Sequence, residues 1–261
     1  MTFFAPKTSK SESIDKTPYT EYYPHIFDAS YRRWNNPWYQ VVSIDPARKN
    51  YALRIERRHS DGTIQTLVFD KVSIYEILED NNSSRTICNT YKNLSIFLDK
   101  YKSFYDDCHF IIIERQLPQN YQTTRIAQHT ITYFELYCRN KPLLPSIIEV
   151  DPKLKGKILG GPKNSTDKKE LKKWASDYAR RLSLHRNDKF AIDVMNHFSP
   201  KDDDLADTIC QAEALFIHWN ISKFIDVKNI TSLLMSTDNL VPTDKQVLFS
   251  FVDIDNVPQR K

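Results

Sequence analysis

The chain reads as an α/β protein on a mixed five-stranded sheet: three antiparallel strands, then strands alternating with helices that cover both faces. Three observations predict it. Five short segments carry the apolar alternation or continuous apolar run of strands, the first three are separated by only a few residues, and from about residue 85 the apolar period lengthens to that of a helix between successive strands.

Each element has its own signal. YQVVSID (Tyr39–Asp45) is a buried strand ending on an acid, and YALRIERR (Tyr51–Arg58) alternates as a half-buried strand would, its polar side toward water. The turn Ser60-Asp61-Gly62-Thr63 leads into a third strand, IQTLVFDKV (Ile64–Val72). Ile87, Tyr91, Leu94 and Leu98 then repeat at helical spacing. CHFIIIE (Cys108–Glu114) is a continuous apolar run of the kind buried on both faces, and it too ends on an acid. A helix over Tyr121–Arg139 carries Ala127, Ile131, Phe134 and Tyr137 on one side, and PSIIEVD (Pro145–Asp151) is the fifth strand. A loop with Gly156, Gly160 and Gly161 precedes a helix that buries Leu171, Trp174, Tyr178 and Leu182. The stretch KDDDLADTI (Lys201–Ile209) opens the last helix, with Leu205, Ile209, Ala212 and Phe216 as its apolar stripe. Residues 38–220 make the domain, flanked by extensions at 1–37 and 221–261.

Composition excludes several functions. No apolar run approaches 18 residues, so no membrane span is expected, and the opening MTFFAPKTSKSESIDK lacks a signal-peptide core. Cys88, Cys108, Cys138 and Cys210 are far apart without a CxxC pair, which reads as reduced thiols of an intracellular, non-secreted protein and argues against zinc. With four glycines in 261 residues, a phosphate-cradling loop is poorly supported. The net charge of +4 conceals a basic segment: residues 151–186 hold eleven Lys or Arg against four Asp or Glu. A basic segment beside an acidic cluster suits a polyanion held near a metal site.

The acids carry the chemistry. Asp45 and Glu114 end two strands which, if parallel neighbours, emerge at one sheet edge, where such sheets place their sites. Asp204 and Asp207 are one turn apart at the margin of the last helix's apolar stripe; Asp203 points away, and Asp202 or Asp203 is the expected helix cap. Four carboxylates with no buried Lys or Arg to neutralise them would suit a hard divalent cation, Mg²⁺ or Mn²⁺. The chemistry needing such a cage is phosphodiester hydrolysis by two ions, which activate water and stabilise the departing 3′ oxygen.

With SIDPARKNYA (Ser43–Ala52), IIIERQ (Ile111–Gln116), KDDDLADT (Lys201–Thr208) and, more weakly, KKELKKWA (Lys168–Ala175), residues 39 to 220 resemble the RNase H-like superfamily. Within it they resemble the RuvC-like Holliday junction resolvases of poxvirus and fungal mitochondrial type. The resemblance implies an RNase H-like fold and Asp45, Glu114, Asp204 and Asp207 as catalytic, metal-binding acids for two Mg²⁺ ions. It also implies a homodimer that makes paired nicks in branched, four-way DNA. Ala47 stands where many relatives have glycine, while Lys49 and Asn50 are kept. No N-terminal helical DNA-binding module of the fungal sort is visible, and the glycine-poor, Asn-, Lys-, Ile- and Tyr-rich composition fits the viral type, acting within a host cell. Lys49, Arg115, Gln116, Lys169, Lys173 and Arg180 are the expected DNA contacts, with Lys153, Lys155 and Lys157 steering. His109, His129 and His218 read as structural. The rival readings are a nuclease of the same fold acting on RNA–DNA hybrids, and a non-catalytic DNA-binding member of the fold.

Overall fold

The computed structural model describes residues 36–75, 87–141, 144–162 and 167–219; the expected extensions at 1–37 and 221–261 lie outside these, apart from Asn36 and Pro37. All described residues but Asn36 fall within the unit Pro37–Lys261. The strands are β1 (Trp38–Asp45), β2 (Tyr51–His59), β3 (Ile64–Val72), β4 (Cys108–Glu114) and β5 (Ser146–Val150). The helices are α1 (Ile87–Asp99), α2 (Lys102–Tyr105), α3 (Tyr121–Cys138), α4 (Pro152–Leu159), α5 (Lys168–His185), α6 (Lys189–Phe198) and α7 (Asp203–His218). The sheet order is β3-β2-β1-β4-β5. β1 runs antiparallel to β2 and parallel to β4, β3 is antiparallel to β2, and β5 is parallel to β4. This is the RNase H-like mixed sheet that the sequence predicts.

Strand alternation divides the core in two. Val42, Ile44, Leu53, Ile55, Ile111 and Ile113 face one way, onto Leu94, Phe97 and Leu98 of α1 and Ile126, Ala127 and Phe134 of α3. The other face, with Ala52 and Phe69, is covered by Leu159 of α4, Ala175, Tyr178, Ala179 and Leu182 of α5, Ala191 and Met195 of α6, and Leu205, Ala206, Ile209 and Ala214 of α7. With both faces covered, a slip of one position would carry a strand's inward side chains into the opposite layer, which ties register to the two cores.

Three helices differ from the sequence reading. α4 stands where a glycine loop is expected, although its signals are in the sequence: Asp151 caps it by accepting from the Lys153 N–H, Pro152 occupies the first turn, and Gly160 closes it at φ 75°. Gly161 is required by packing, since a Cβ there would lie 2.9 Å from the Gly156 Cα. α2 and α6 are short additional helices, the latter capped by Asp188 through the Ala191 N–H. A second correction concerns β2, whose polar side is not toward water: Arg54, Glu56 and Arg58 are at most 1% exposed beneath α7. Alternating polarity cannot tell a solvated face from one covered by oppositely charged partners. The described cysteine side chains, Cys108, Cys138 and Cys210, are buried free thiols.

Candidate active site

The site is laid out by sheet register. Lys71 of β3 pairs with Ala52 of β2, and Ala52 pairs with Asp45 of β1. Ile44 pairs with Ile113, so one position further along Asp45 and Glu114 end adjacent parallel strands, and Glu114 in turn pairs with Val150 of β5. Lys71, Ala52, Asp45, Glu114 and Val150 thus form a row across all five strands, at one edge of the sheet and on the face covered by α7.

Two further elements lower side chains onto this row. α4 starts directly after β5, so Lys155, one turn in, reaches back over the strand ends. Its Nζ lies 2.8 Å from Glu114 Oε2 and 2.7 Å from Asp207 Oδ1. From the first turns of α7, Asp207 meets Lys155, and Asp204 Oδ2 lies 2.9 Å from the Lys71 Nζ. Asp203 pairs with Lys172, and Asp202 with Arg180 at 3.0 Å from Nε and 2.6 Å from Nη2. Each of the four aspartates of KDDDLAD therefore has its own cation.

This corrects the expectation of an unneutralised acid cluster: Lys155 and Lys71, side chains 15% and 7% exposed, supply counter-charge from elements distant in the sequence. Asp202 stands at the N-cap position of α7 but makes no side-chain cap hydrogen bond, its carboxylate being held by Arg180 instead. The electrostatics show charge under pressure. Burial, reinforced by Glu114 and Asp207, pushes the Asp45 carboxyl well above the usual range. Burial also pushes Asp207 up to about 6, with Lys155 opposing. Burial alone would lower the Lys155 ammonium, but Asp207, Glu114 and Asp45 outweigh it and hold it charged. Asp204 is raised by burial against the pull of Lys71.

Among the described residues no three His, Cys, Asp or Glu side chains converge closely enough to share one metal ion; Lys155 bridges two of the acids instead. The donor chemistry nevertheless fits a hard divalent cation. Asp45, Glu114 and Asp207 offer carboxylate oxygens from three separate elements and would be the residues to hold it, and a single ammonium balances only part of their charge.

α7 is fastened over the row by buried polar contacts absent from the sequence reading. Gln211 Nε2 donates to Ser43 Oγ at 2.7 Å and to the Ile44 carbonyl at 2.9 Å, while Ser43 Oγ donates to the Thr208 carbonyl at 2.8 Å. Further along, Glu213 Oε2 accepts from Arg58 Nη2 at 2.9 Å and Arg186 Nη2 at 2.8 Å. Arg58 Nε also meets Glu56 Oε1 at 2.5 Å, and Arg54 lies 3.7 Å from Asp188. Burial would raise the Glu213 carboxyl, but Arg186 and Arg58 outweigh it and hold it at about 2.

The expected DNA contacts divide into two groups. Lys49, in the turn after Asp45, and Lys169 and Lys173, on the outer side of α5, are exposed. Arg115 pairs with Asp151 at 2.9 Å, and Gln116 Nε2 donates to the Glu114 carbonyl at 3.2 Å. Arg180, expected opposite the buried stripe, instead turns to Asp202, the Asn196 side chain and the Met195 carbonyl, joining α5, α6 and α7. Lys71 was missed by the sequence reading; no local pattern marks it, and only the observed register of β3, β2 and β1 brings it into line with Ala52 and Asp45.

No protein-family model matches the chain. It is 31% identical over 118 residues to protein 97L of Invertebrate iridescent virus 3, covering 45% of this chain and 52% of that protein. It is 28% identical over 141 residues to protein 170L of Invertebrate iridescent virus 6, covering 48% of this chain and 57% of that one. Both relatives are uncharacterized, and the match spans about half the length of each. Among solved structures, the yeast mitochondrial Holliday junction resolvase Ydc2 overlays with a TM-score of 0.52 at 14% identity, over 78% of this chain and 91% of that one. The two therefore share a fold. Thermus thermophilus RuvC overlays more loosely, with a TM-score of 0.46 at 15% identity over 70% of this chain. Among the described residues no helix is long and apolar enough to cross a membrane.

Proposed function

We propose that this chain is a Mg²⁺-dependent, structure-selective DNA endonuclease that resolves four-way junctions by paired nicks, acting as a homodimer in infected cells. The observation that carries the reading is the convergence of Asp45, Glu114 and Asp207 on one sheet edge around the Lys155 ammonium, on a fold shared with a junction resolvase.

Asp45, Glu114 and Asp207, joined by Asp204, would hold two Mg²⁺ ions, with Mn²⁺ substituting. When bound, such ions activate water and stabilise the departing 3′ oxygen of a phosphodiester. The chain's own groups do the rest. The strand ends and the Gln211–Ser43 contact hold the carboxylates in fixed relation, which keeps the reorganisation needed during reaction small. Burial by α7 lowers the local dielectric, so each charge acts more strongly than at an open surface. Lys155 reduces the negative charge that would otherwise repel a phosphate backbone. Lys49, Lys169 and Lys173 present exposed cations to phosphates on either side.

One observation favours a rival. Lys155 already pairs with two of the acids, which would also suit a non-catalytic DNA-binding protein whose carboxylates are structural. The test is cleavage of a synthetic four-way junction with Mg²⁺, beside linear duplex, RNA–DNA hybrid and the Asp45→Asn protein. Paired nicks in the junction alone, lost in Asp45→Asn, are expected. Cutting of the hybrid would replace the substrate and keep the site; junction binding without any cleavage would establish the rival.

A further inference from the structure

Two largely buried ammonium groups pair with three of the four acids. Lys155 lies against Glu114 and Asp207, whereas Asp204 lies against Lys71, at the opposite end of the strand row. Lys71 is a tightly held group. Its side chain is 7% exposed, it also donates to the Lys201 carbonyl just before α7, and its Nζ lies 5.8 Å from the centre of the Phe198 ring. Asp204 is thus paired with its own counter-ion, separate from the one shared by Glu114 and Asp207.

Lys71 could be no more than a strap from β3 to α7. Two features argue for more. Only Ala52, a residue without charge or bulk, stands between Lys71 and Asp45 in the row, so their backbones are two strand spacings, roughly 10 Å, apart. Moreover, the partner that Lys71 holds is on the same helix as Asp207, one turn before it, so the same turn of α7 serves both cations.

We propose that Lys71 is a built-in counter-ion that withholds Asp204 from divalent cation binding, so that a second cation enters only by displacing the ammonium. This rests on the nuclease reading above and adds a determinant of how strongly the second cation is held. A divalent ion competes with the ammonium for Asp204 and is also repelled by it while both are present, so Lys71 weakens the affinity for the cation that Asp204 helps to hold.

The experiment is Mn²⁺ binding to the full chain, followed by electron paramagnetic resonance and by titration calorimetry, without DNA and without turnover. Wild type is expected to bind one Mn²⁺ tightly and a second more weakly. Lys71→Met should tighten the second by about tenfold or more, through loss of a charge next to the ligand. Lys71→Gln, which keeps a donor for the Lys201 carbonyl, should do the same if the methionine variant does not fold. Lys71→Arg should leave the second affinity weak, and adding Asp204→Asn to either neutral variant should abolish the gain. Unchanged or weaker second binding in both neutral variants, or a gain that survives Asp204→Asn, would overturn the proposal and leave the nuclease reading intact. Failure of wild type and variants alike to bind any Mn²⁺ would overturn both.

Discussion

Replacing Glu213 with glutamine removes one negative charge from a fully buried network without changing its shape. Glu213 is shared by Arg58 and Arg186, at 2.9 and 2.8 Å, and its side chain is 0% exposed. Its carboxyl is held at about 2 against an ordinary 4.5, which corresponds to roughly 3 kcal/mol of folding free energy at neutral pH. Removing one partner of a buried ion pair, which leaves the other charge uncompensated, costs about 3–5 kcal/mol in other proteins, so the two routes agree. Because the folded-state value is depressed, this contribution is complete above pH 4.5 or so and is lost as the pH falls through about 2. Urea unfolding of the full chain, followed by tryptophan fluorescence, should therefore place Glu213→Gln about 3 kcal/mol below wild type at pH 7 and about 2 kcal/mol below it at pH 3.5. A gap under about 1 kcal/mol at pH 7, or one that does not shrink with acid, would refute the assignment of charge to these groups.

Asp45→Asn should stabilise the cation-free protein at pH 7, by about 2–4 °C in Tm for each kcal/mol of relieved burial and repulsion. The advantage should fade as acid protonates Asp45 in wild type; a lower Tm for the variant would show that the carboxylate is structurally required. Lys155→Met should cost about 3–5 kcal/mol in cation-free protein by stranding Glu114 and Asp207, and Mg²⁺ should restore much of it in thermal melts; a melt unaltered by the substitution would refute the pairing. Changing Lys169 and Lys173 together to alanine should weaken junction binding and reduce the slope of log affinity against log salt by roughly 1–2. An unchanged slope, measured by fluorescence anisotropy, would remove α5 from the DNA interface.

The sheet was legible because strands declare themselves by period. The apolar runs ending at Asp45 and Glu114 placed both acids at one edge on the condition that their strands are parallel neighbours, which they are, and the wheel around Leu205 and Ile209 singled out Asp204 and Asp207, which meet Lys71 and Lys155. What was not legible came from pairings across long sequence separations. Lys71 and Asp204 are 133 residues apart, and Lys155 and Glu114 are 41 apart. No local pattern marks a lysine as buried, because the partner that makes its burial tolerable lies elsewhere in the chain. The same reason hid Arg54, Glu56 and Arg58, whose alternation with Leu53 and Ile55 is identical to that of a strand facing water. α4 is different. Its cap, its proline and its closing glycine were all present, but the helix is short and its centre carries Gly156, which lowers helix propensity.

The row that runs from Lys71 to Val150 makes the sheet a ruler. In a strand a slip of one position turns every side chain to the opposite face, so a single-residue insertion inside β1, β2 or β3 would rotate Asp45, Ala52 or Lys71 away from α7. The two hairpin turns are therefore unequal places to alter the protein. Residues 46–50 connect β1 to β2 at the edge that holds the acids, and added length there would disturb the site directly. The turn at Ser60–Thr63 closes the β2–β3 hairpin at the far end of the same strands, with Gly62 at φ 87° and Asp61 accepting from the Thr63 N–H at 2.8 Å. It is the position at which a dye, an affinity handle or a tether could be grafted while the spacing of the carboxylates stays as the strands set it.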